Sequence, residues 1–340
     1  MLEHGGRLQQ AAREYGIPLD NWLDLSTGIN PESWPIPPVP AATWMRLPED
    51  DDELTAAACA CYGAPALLPT AGTQAAIQTL PRLRPVGRIA VLTPMYAEHA
   101  LAWHRAGHQV IAATAGELEM LIEQVDVLVL THPNNPDGTR FTPTQLLDWQ
   151  ARLAARGGWL VVDEAFIDPT PQASLASHTE QPGLIVLRSL GKFYGLPGAR
   201  VGFVCAQPAL LAPLREQLGP WPIATPARWL ATQSLRDLAW QSGARLRLQS
   251  AAQRLARLLR DHDLPTAGGC ALFQWLPTPH AGKLHAWLAR QGILTRLFTN
   301  IPGLRLGLPG AEADWQRLQA TLAALPAQYQ GTDHGRHALR

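Results

Sequence analysis

The stretch SLGKFYGLPGAR, residues 189–200, is the most informative part of this sequence. It continues the apolar run GLIVLRS, which predicts a strand, and its three glycines would let the backbone approach a ligand closely. Lys192 falls in the loop at the strand end. A lysine that reacts with a carbonyl group must be desolvated or held near cations, so that its amine is neutral, and a cleft at a strand end supplies that environment. Because most single lysines are solvated, the surrounding motifs must decide between these two interpretations.

Short apolar runs alternate with helix-like segments through the first two thirds of the chain. The runs that predict strands are RIAVLT, HQVIAA, VDVLVL, WLVVDEAF and GLIVLRS. This alternation indicates an α/β fold in which a mostly parallel sheet lies between helices. In sheets of this kind, ligands bind at the carboxyl ends of the strands. After a helical tract at 225–262, the runs CALFQWL, GILTRLF and GLRLGL predict a second, antiparallel sheet.

These patterns predict four regions along the chain of 340 residues. Residues 1–40 form an N-terminal arm that contributes to a small domain and ends in a proline-rich, extended segment at 31–40. Residues 41–224 form the large, cofactor-binding domain. Residues 225–330 form the C-terminal small domain, and residues 331–340 form a disordered tail.

Three further motifs stand at predicted strand or helix ends. In DEAF, Asp163 could keep the ring nitrogen of a cofactor protonated, although a capping or turn residue is the simpler alternative. In HPNNPDG, Asn135 could donate a hydrogen bond to the same cofactor, or the segment could be an ordinary turn. In TAGTQ, Thr73 and the amides that open a helix could bind phosphate, or Thr73 could only cap that helix. The motifs are weak singly, and their order and spacing together favour one cofactor site.

Composition limits the classes of partner. The sequence has 28 basic and 28 acidic side chains, so no nucleic-acid or membrane-surface footprint is predicted, and a small molecule is the expected ligand. The four cysteines form no CxxC pair, and no metal site is predicted. The N-terminus has no apolar signal region and no run of about 18 apolar residues occurs, so a cytoplasmic protein is expected.

The series GTQ, PMY, NNPDG, DEAF and SLGK followed by Arg200 resembles the class I/II aminotransferase family, whose members bind pyridoxal 5′-phosphate (PLP). The resemblance covers nearly the whole chain. It implies PLP fold type I: a large domain with a mostly parallel seven-stranded sheet between helices, and a smaller α+β domain. It also implies a homodimer with active sites at the subunit interface.

The same resemblance implies a role for each matching residue. Lys192 would be the catalytic residue and would carry PLP as a Schiff base. The other cofactor-binding residues would be Asp163 at the pyridine nitrogen, Asn135 at the phenolate oxygen, Tyr96 against the ring, and Gly72, Thr73, Ser189 and Arg200 at the phosphate.

Two positions depart from the family pattern. Phe166 stands beside the cofactor where many relatives have a tyrosine, and it cannot donate a hydrogen bond to the phenolate oxygen. Arg46, Leu47 and Pro48 stand where histidinol-phosphate aminotransferases often read RYP, so the phenol that would reach the phosphate in the neighbouring subunit is lost.

Within the family, the chain is most similar to the L-threonine-O-3-phosphate decarboxylases of cobalamin biosynthesis. The similarity is carried by HGG at 4–6, DLSTGINP at 24–31, and two C-terminal arginines. It implies decarboxylation to (R)-1-amino-2-propanol O-2-phosphate and CO2. A substrate with a carboxylate and a phosphate needs two anion sites, which suit guanidinium groups. Arg305 would bind the carboxylate, while Arg296, His4 and Asn30 would face the phosphate.

Two other functions stay open at this point. An aminotransferase acting on a phosphorylated or acidic amino compound, similar to histidinol-phosphate aminotransferases, fits the motifs nearly as well, because the sequence does not report which substrate bond lies perpendicular to the cofactor ring. A transcriptional regulator that uses this fold as a sensor would need an added helix-turn-helix module with a basic face. Only about forty proline-rich residues precede the large domain, which disfavours the regulator.

Overall fold

The computed structural model describes residues 4–326 and residue 329. The strands are β1 Leu23–Asp24, β2 Leu67–Thr70, β3 Arg88–Leu92, β4 Gln109–Ala113, β5 Val127–Thr131, β6 Trp159–Asp163, β7 Leu184–Ser189, β8 Gly202–Cys205, β9 Gly268–Cys270, β10 Phe273–Pro277, β11 Ile293–Leu294, β12 Arg296–Phe298 and β13 Gly303–Gly307. The helices are α1 Leu8–Tyr15, α2 Glu53–Tyr62, α3 Gly72–Thr79, α4 Glu98–Arg105, α5 Leu118–Leu121, α6 Pro143–Ala154, α7 Pro208–Leu218, α8 Thr225–Arg236, α9 Leu238–Arg260, α10 Ala281–Arg290 and α11 Glu312–Ala323.

Contacts group the described residues into two compact units. The first unit contains the residues up to Glu32, the short segment Pro136–Gly138, and the residues from Arg247 onward. The second contains Ser33–Asn135 and Thr139–Leu246. These divisions fall at other residues than the predicted boundaries at 40 and 224. The later division lies inside α9, a continuous helix of 23 residues that begins in the second unit and ends in the first.

The second unit contains a seven-stranded sheet in the order β2-β8-β7-β6-β5-β3-β4. The central strands are parallel, and β8 runs antiparallel to both of its neighbours. One face of the sheet buries alternate residues, among them Val91, Val129 and Val161, against α3, α4 and α7. Burying each such side chain contributes about 1.5–3 kcal/mol. The predicted α/β fold with a mostly parallel seven-stranded sheet is confirmed.

The register of this sheet gathers strand ends at one edge. Thr131 pairs with Asp163 at the carboxyl ends of β5 and β6. Gly202, the first residue of the antiparallel β8, pairs with both Ser189 at the end of β7 and Thr70 at the end of β2. Residues that follow these strand ends in the sequence are therefore close in space.

The first unit contains an antiparallel sheet in the order β12-β13-β10-β9, together with a two-stranded parallel pair, β1 and β11. The pair joins the N-terminal arm to the C-terminal part of the chain, with Leu23 opposite Ile293. The predicted second sheet is present. The N-terminal arm also contains α1 and β1, two elements that the sequence patterns did not predict. The predicted tail at 331–340 lies outside the described residues.

Among the residues that the structure describes, no helix combines the length and the apolar character needed to cross a membrane.

Candidate active site

The predicted cofactor-binding residues all lie in the second unit, at the carboxyl edge of its sheet. Gly72 and Thr73 open α3 directly after β2, and Tyr96 lies between β3 and α4. The remaining members follow or end the central strands: Asn135 after β5, Asp163 and Phe166 at the end of β6, Ser189, Lys192 and Arg200 between the end of β7 and the start of β8. The fold thus brings together one set of residues from separate parts of the chain.

Asp163 is held by two groups at the end of β6. Asp163 is 4% exposed, and its Oδ1 accepts a hydrogen bond from the backbone amide of Ala165 at 3.0 Å. Its Oδ2 lies 2.9 Å from Nε2 of His99, which is itself buried on α4. These two contacts fix the orientation of the carboxylate. Asp163 therefore has the position and support needed to keep a ring nitrogen protonated.

His99 is a further candidate site residue, which the sequence motifs do not reveal. It stands three positions after Tyr96, and the two rings meet edge to face with centroids 6.2 Å apart. The available signal was this spacing, because residues three apart at a helix lie on neighbouring parts of its surface. A single histidine in an otherwise ordinary helical segment did not reveal that its partner was a carboxylate 64 residues away.

The start of α3 forms a cradle against Arg200. Gly72 has a left-handed φ of +69°, and a Cβ built on it would lie 2.6 Å from Nη2 of Arg200. A Cβ on Gly202 would lie 2.6 Å from the amide nitrogen of Thr73. Only glycine fits at these two positions without displacing the helix start or the guanidinium. Helix amides, the Thr73 hydroxyl and a guanidinium are groups that bind phosphate, so the cradle fits the phosphate of PLP.

Lys192 lies in the turn after β7. Its side chain is half-buried, and Nζ lies 5.6 Å from the ring centroid of Phe166. Phe166 is buried, so the substitution of the usual tyrosine places an apolar ring beside the lysine. The preceding Ser189 hydroxyl accepts a hydrogen bond from the amide of Gly191 at 3.3 Å, which fixes the start of the turn.

Tyr96 and Asn135 are positioned by short networks. The Tyr96 hydroxyl donates to Oε1 of Gln74 at 3.2 Å, and Gln74 donates to Glu98 at 3.1 Å. Burial is the largest cause that raises the pKa of Tyr96 to about 12, so its phenol stays protonated at neutral pH. The backbone amide of Asn135 donates a hydrogen bond to the hydroxyl of Thr131, at the end of β5, over a distance of 3.2 Å.

A buried charge cluster lies behind the loop that carries Asp163 and Phe166. Arg188 on β7 donates to Glu164 at 3.0 Å and also to Asp168. Burial opposes the charge on Arg188, but the two carboxylates outweigh it and raise its pKa. The cluster ties the segment after β6 to β7, which carries Ser189 at its end.

The predicted substrate-binding residues lie in the first unit. Arg296 on β12 and Arg305 on β13 are direct cross-strand partners. Arg305 is buried, and its Nη2 donates to the carbonyl oxygen of Ser26 at 2.9 Å. Burial is the larger cause, and Arg296 the next, that lowers the pKa of Arg305 to about 10, so it is still charged at neutral pH. Two guanidinium groups directly opposite each other repel, and bound anions would relieve that repulsion.

The two N-terminal motifs pack against each other in this unit. The amide of Gly6 donates to the Ser26 hydroxyl at 2.8 Å, and that hydroxyl donates to Oδ1 of Asp24 at 2.6 Å. A Cβ on Gly5 would lie 2.2 Å from the Ser26 carbonyl oxygen. The glycines of HGG thus allow the backbone to contact the DLS segment, and this contact places His4.

Of the four predicted substrate residues, two line one cavity. A cavity of about 220 Å³ in the first unit has His4 and Arg296 in its wall. The same wall contains Arg7, Ser26, His285 and Thr295, which the sequence did not predict as ligands. Asn30 is buried, its Oδ1 accepts from the amide of Glu32 at 3.0 Å, and it is not part of this wall. Arg305 is not part of it either. The roles of these four residues stay predictions.

Within the described part of the chain, no cluster of histidine, cysteine or carboxylate side chains could hold a metal ion. The cofactor edge instead offers a lysine, a supported carboxylate, an amide side chain and a phosphate cradle. This donor set is that of a PLP enzyme of fold type I. The sequence match is more specific: residues 47–323 match the model of the family described as aminotransferase class I and II. The chain belongs to this family.

Individual proteins of this family are similar to the chain over nearly its whole length. A threonine-phosphate decarboxylase from Pseudomonas aeruginosa is 57% identical over 95% of this chain and 97% of its own length. A threonine-phosphate decarboxylase from Sinorhizobium sp. is 39% identical over 95% of this chain and 98% of its own length. The crystal structure of histidinol-phosphate aminotransferase from Sinorhizobium meliloti in complex with pyridoxal-5′-phosphate superposes with a TM-score of 0.77, covering 96% of each chain at 19% identity. The structural likeness shows the shared fold.

Proposed function

We propose that this protein is a PLP-dependent carboxy-lyase that converts L-threonine O-3-phosphate to (R)-1-amino-2-propanol O-2-phosphate and CO2 in cobalamin biosynthesis. Relatives named for this reaction match the chain over nearly its whole length. The structural observation that carries the proposal is the cross-strand pair of Arg296 and Arg305. A substrate that presents a carboxylate and a phosphate supplies one anion for each guanidinium.

The two arginines lie in different environments, and this difference suggests which anion each one binds. Arg305 is buried and lies above the Phe273 ring, with its guanidinium carbon 5.2 Å from the ring centroid, so it can bind a carboxylate in a dry setting. Arg296 is half-buried and opens to the cavity that also contains His4, where a larger, doubly charged phosphate has more room. We assign Arg305 to the carboxylate and Arg296 with His4 to the phosphate.

We further propose that the residues at the carboxyl edge of the seven-stranded sheet hold PLP. Lys192 would carry the cofactor, Asp163 would face its ring nitrogen, Asn135 its phenolate oxygen, and Tyr96 its ring. Gly72, Thr73, Ser189 and Arg200 would hold its phosphate. When bound, PLP withdraws the electron pair that is left when the bond to the carboxylate carbon breaks.

The chain's own residues then determine what replaces the carboxylate. Arg305 holds that group until it leaves as CO2, and it does not take part in the bond change. Lys192 Nζ donates a proton to the carbon that the carboxylate has left, and the amine regains its proton from solvent. The net change is one proton taken up for each CO2 released, which is the balance of a decarboxylation.

Decarboxylation and amino transfer differ in what they consume. With PLP-loaded protein, L-threonine O-3-phosphate and no keto acid, we expect CO2 release to continue over many turnovers. An aminotransferase acting on a phosphorylated or acidic amino compound would release no CO2, and would transfer the amino group once 2-oxoglutarate is added. That second pattern would contradict the proposed reaction while leaving the assignment to a PLP enzyme intact.

We also propose that the protein forms a homodimer. The surface around residues 36–47 of the second unit is apolar, with Trp44 71% and Met45 83% exposed. Thr225 donates to the carbonyl oxygen of Arg46 at 3.0 Å, which holds this segment against the start of α8. Exposed apolar patches of this kind mark contact surfaces. In related enzymes, the RYP position, here Arg46 to Pro48, would reach the neighbouring subunit, so a second copy is the occupant we expect. A cytoplasmic location stays a prediction of the sequence.

Charged substitutions in this apolar patch should change the oligomeric state. We expect the native protein to have twice the mass of one chain by light scattering at micromolar concentration, and the Trp44→Glu/Met45→Glu variant to have the mass of one chain. Placing two carboxylates in an apolar contact leaves them buried and unpaired, which costs several kcal/mol. Met120→Glu, which changes an exposed methionine on α5, is the matched control and should remain dimeric. A monomeric native protein, or a dimeric double variant, would contradict the assignment.

A further inference from the structure

The cavity of the first unit is lined by more polar groups than His4 and Arg296, the two predicted phosphate ligands in its wall. Thr295 and His285 form part of its wall beside His4 and Arg296. Thr295 is 2% exposed, and its Oγ1 lies 2.8 Å from Nδ1 of His285 on α10. A hydroxyl held this way has a fixed position, so the pair is a defined part of the cavity and not a mobile surface group.

A break in the strand lets neighbouring residues face the same space. Adjacent residues of a continuous strand point to opposite faces. Here Thr295 separates β11 from β12, and both Thr295 and Arg296 line the cavity. The break therefore adds a hydroxyl next to a guanidinium on one wall.

The hydrogen-bond chemistry of the pair suits an anion. When His285 carries a proton on Nδ1, that nitrogen donates to Thr295 Oγ1, and the hydroxyl proton can point to a third group. An oxyanion in the cavity favours this arrangement, because it accepts the hydroxyl proton. Glu14 also lines the cavity, but the two arginines Arg7 and Arg296 outnumber it there. On α1, Glu14 lies about 10 Å along the helix from Arg7.

We propose that Thr295 is a further specificity-determining residue, which donates its hydroxyl proton to the phosphate of the substrate, and that His285 is the positioning residue that orients this hydroxyl. The pair makes the cavity selective for a phosphate ester over the same amine without phosphate. The identity of the ligand rests on the proposed function, and the selectivity does not depend on which substrate bond is broken.

Binding of the reaction product tests the selectivity for phosphate separately from the proposed reaction. (R)-1-Amino-2-propanol O-2-phosphate keeps the phosphate and the amine but has no carboxylate to lose, so its affinity for the holoenzyme can be measured by calorimetry without turnover. The comparison ligand is 1-amino-2-propanol, which lacks the phosphate. We expect Thr295→Val to raise the Kd of the phosphate ester about tenfold, as for loss of one hydrogen bond to a charged acceptor, and to leave the Kd of the comparison ligand unchanged.

The pair should also behave as one unit. We expect His285→Gln to raise the Kd of the phosphate ester several-fold, and the double variant to be no weaker than Thr295→Val alone, because His285 acts through the hydroxyl. With L-threonine O-3-phosphate as substrate, KM should rise while kcat changes less than about twofold. Thr299→Val, on an exposed threonine just after β12, and His280→Gln, at the start of α10, are the matched controls and should leave both affinities unchanged.

Three results would overturn the proposal. An unchanged Kd for the phosphate ester in Thr295→Val would show that the hydroxyl does not contact the phosphate. An equal rise for both ligands would show that the substitution acts on the fold. Multiplied effects in the double variant would show that His285 does not act through Thr295. Failure of CO2 release in the native protein would contradict the proposed reaction, and the selectivity measured with the product would still stand.

Discussion

Replacement of Lys192 by alanine is expected to lower CO2 release from L-threonine O-3-phosphate by at least about a thousandfold, the upper part of the range for loss of one proton-transfer group. The amine has two tasks at the end of β7: to carry the cofactor and to deliver the proton that replaces the carboxylate. Alanine can do neither. The turn itself is held by backbone contacts, since the carbonyl oxygen of Lys192 accepts from the amide of Gly195 at 3.2 Å, so we expect the variant to fold.

The sequence offers a sharp control, because Lys192 and Lys283 are its only lysines. Lys283 is exposed on α10, and Lys283→Ala should keep full activity. Borohydride reduction of the holoenzyme should fix the cofactor on the peptide that contains Lys192 and leave Lys283 unmodified, which mass spectrometry can distinguish. Cofactor found on Lys283, or turnover retained in Lys192→Ala, would contradict the assignment of the catalytic lysine.

The central sheet could be predicted because its signals are local. The parallel strands β3, β5, β6 and β7 are almost wholly buried on both faces and give short continuous apolar runs, and the polar motifs follow those runs directly. The ends of neighbouring parallel strands meet at one edge, so the order of the motifs was enough to group Asn135, Asp163 and Lys192. The two strands that the patterns missed, β2 and β8, have four residues each, and β2 contains Pro69, which weakens the strand signal.

The parts that could not be predicted depend on contacts between distant segments. β1 has two residues and pairs with β11 some 270 positions away, so β1 has no sequence pattern of its own. His99 on α4 contacts the carboxylate of Asp163 on β6, and Thr295 contacts His285 on α10. Neither contact can be recognised from the neighbouring residues in the sequence. Asn30 shows the same dependence on three-dimensional contacts: its side chain accepts from the amide of Glu32 and does not line the cavity, and its role at the phosphate stays a prediction. Residue type alone does not tell a turn residue from a ligand.

The second large effect concerns Asp163. We expect Asp163→Asn to lower kcat for CO2 release by at least about a hundredfold, the size of effect seen when one electrostatic stabiliser of a transition state is removed. Asparagine has nearly the same shape but no negative charge, so it cannot keep the ring nitrogen of the cofactor protonated. The amide contact from Ala165 can persist, since the asparagine side chain also has an oxygen acceptor. The loss should therefore appear in kcat more than in the folded structure.

Substitution of His99, the partner of Asp163, should cause a smaller loss than substitution of Asp163 itself. His99→Gln keeps a donor near Oδ2 but loses the imidazole, and we expect a smaller loss of about tenfold in kcat, because the carboxylate remains charged but less well oriented. His104→Gln, on the exposed side of the same helix, is the control and should have no effect. If Asp163 acts on the ring nitrogen, adding His99→Gln to Asp163→Asn should cost little more than Asp163→Asn alone, since His99 works through the carboxylate. Full additivity of the two losses would mean that His99 contributes by another route, and an unimpaired Asp163→Asn enzyme would remove Asp163 from the active site.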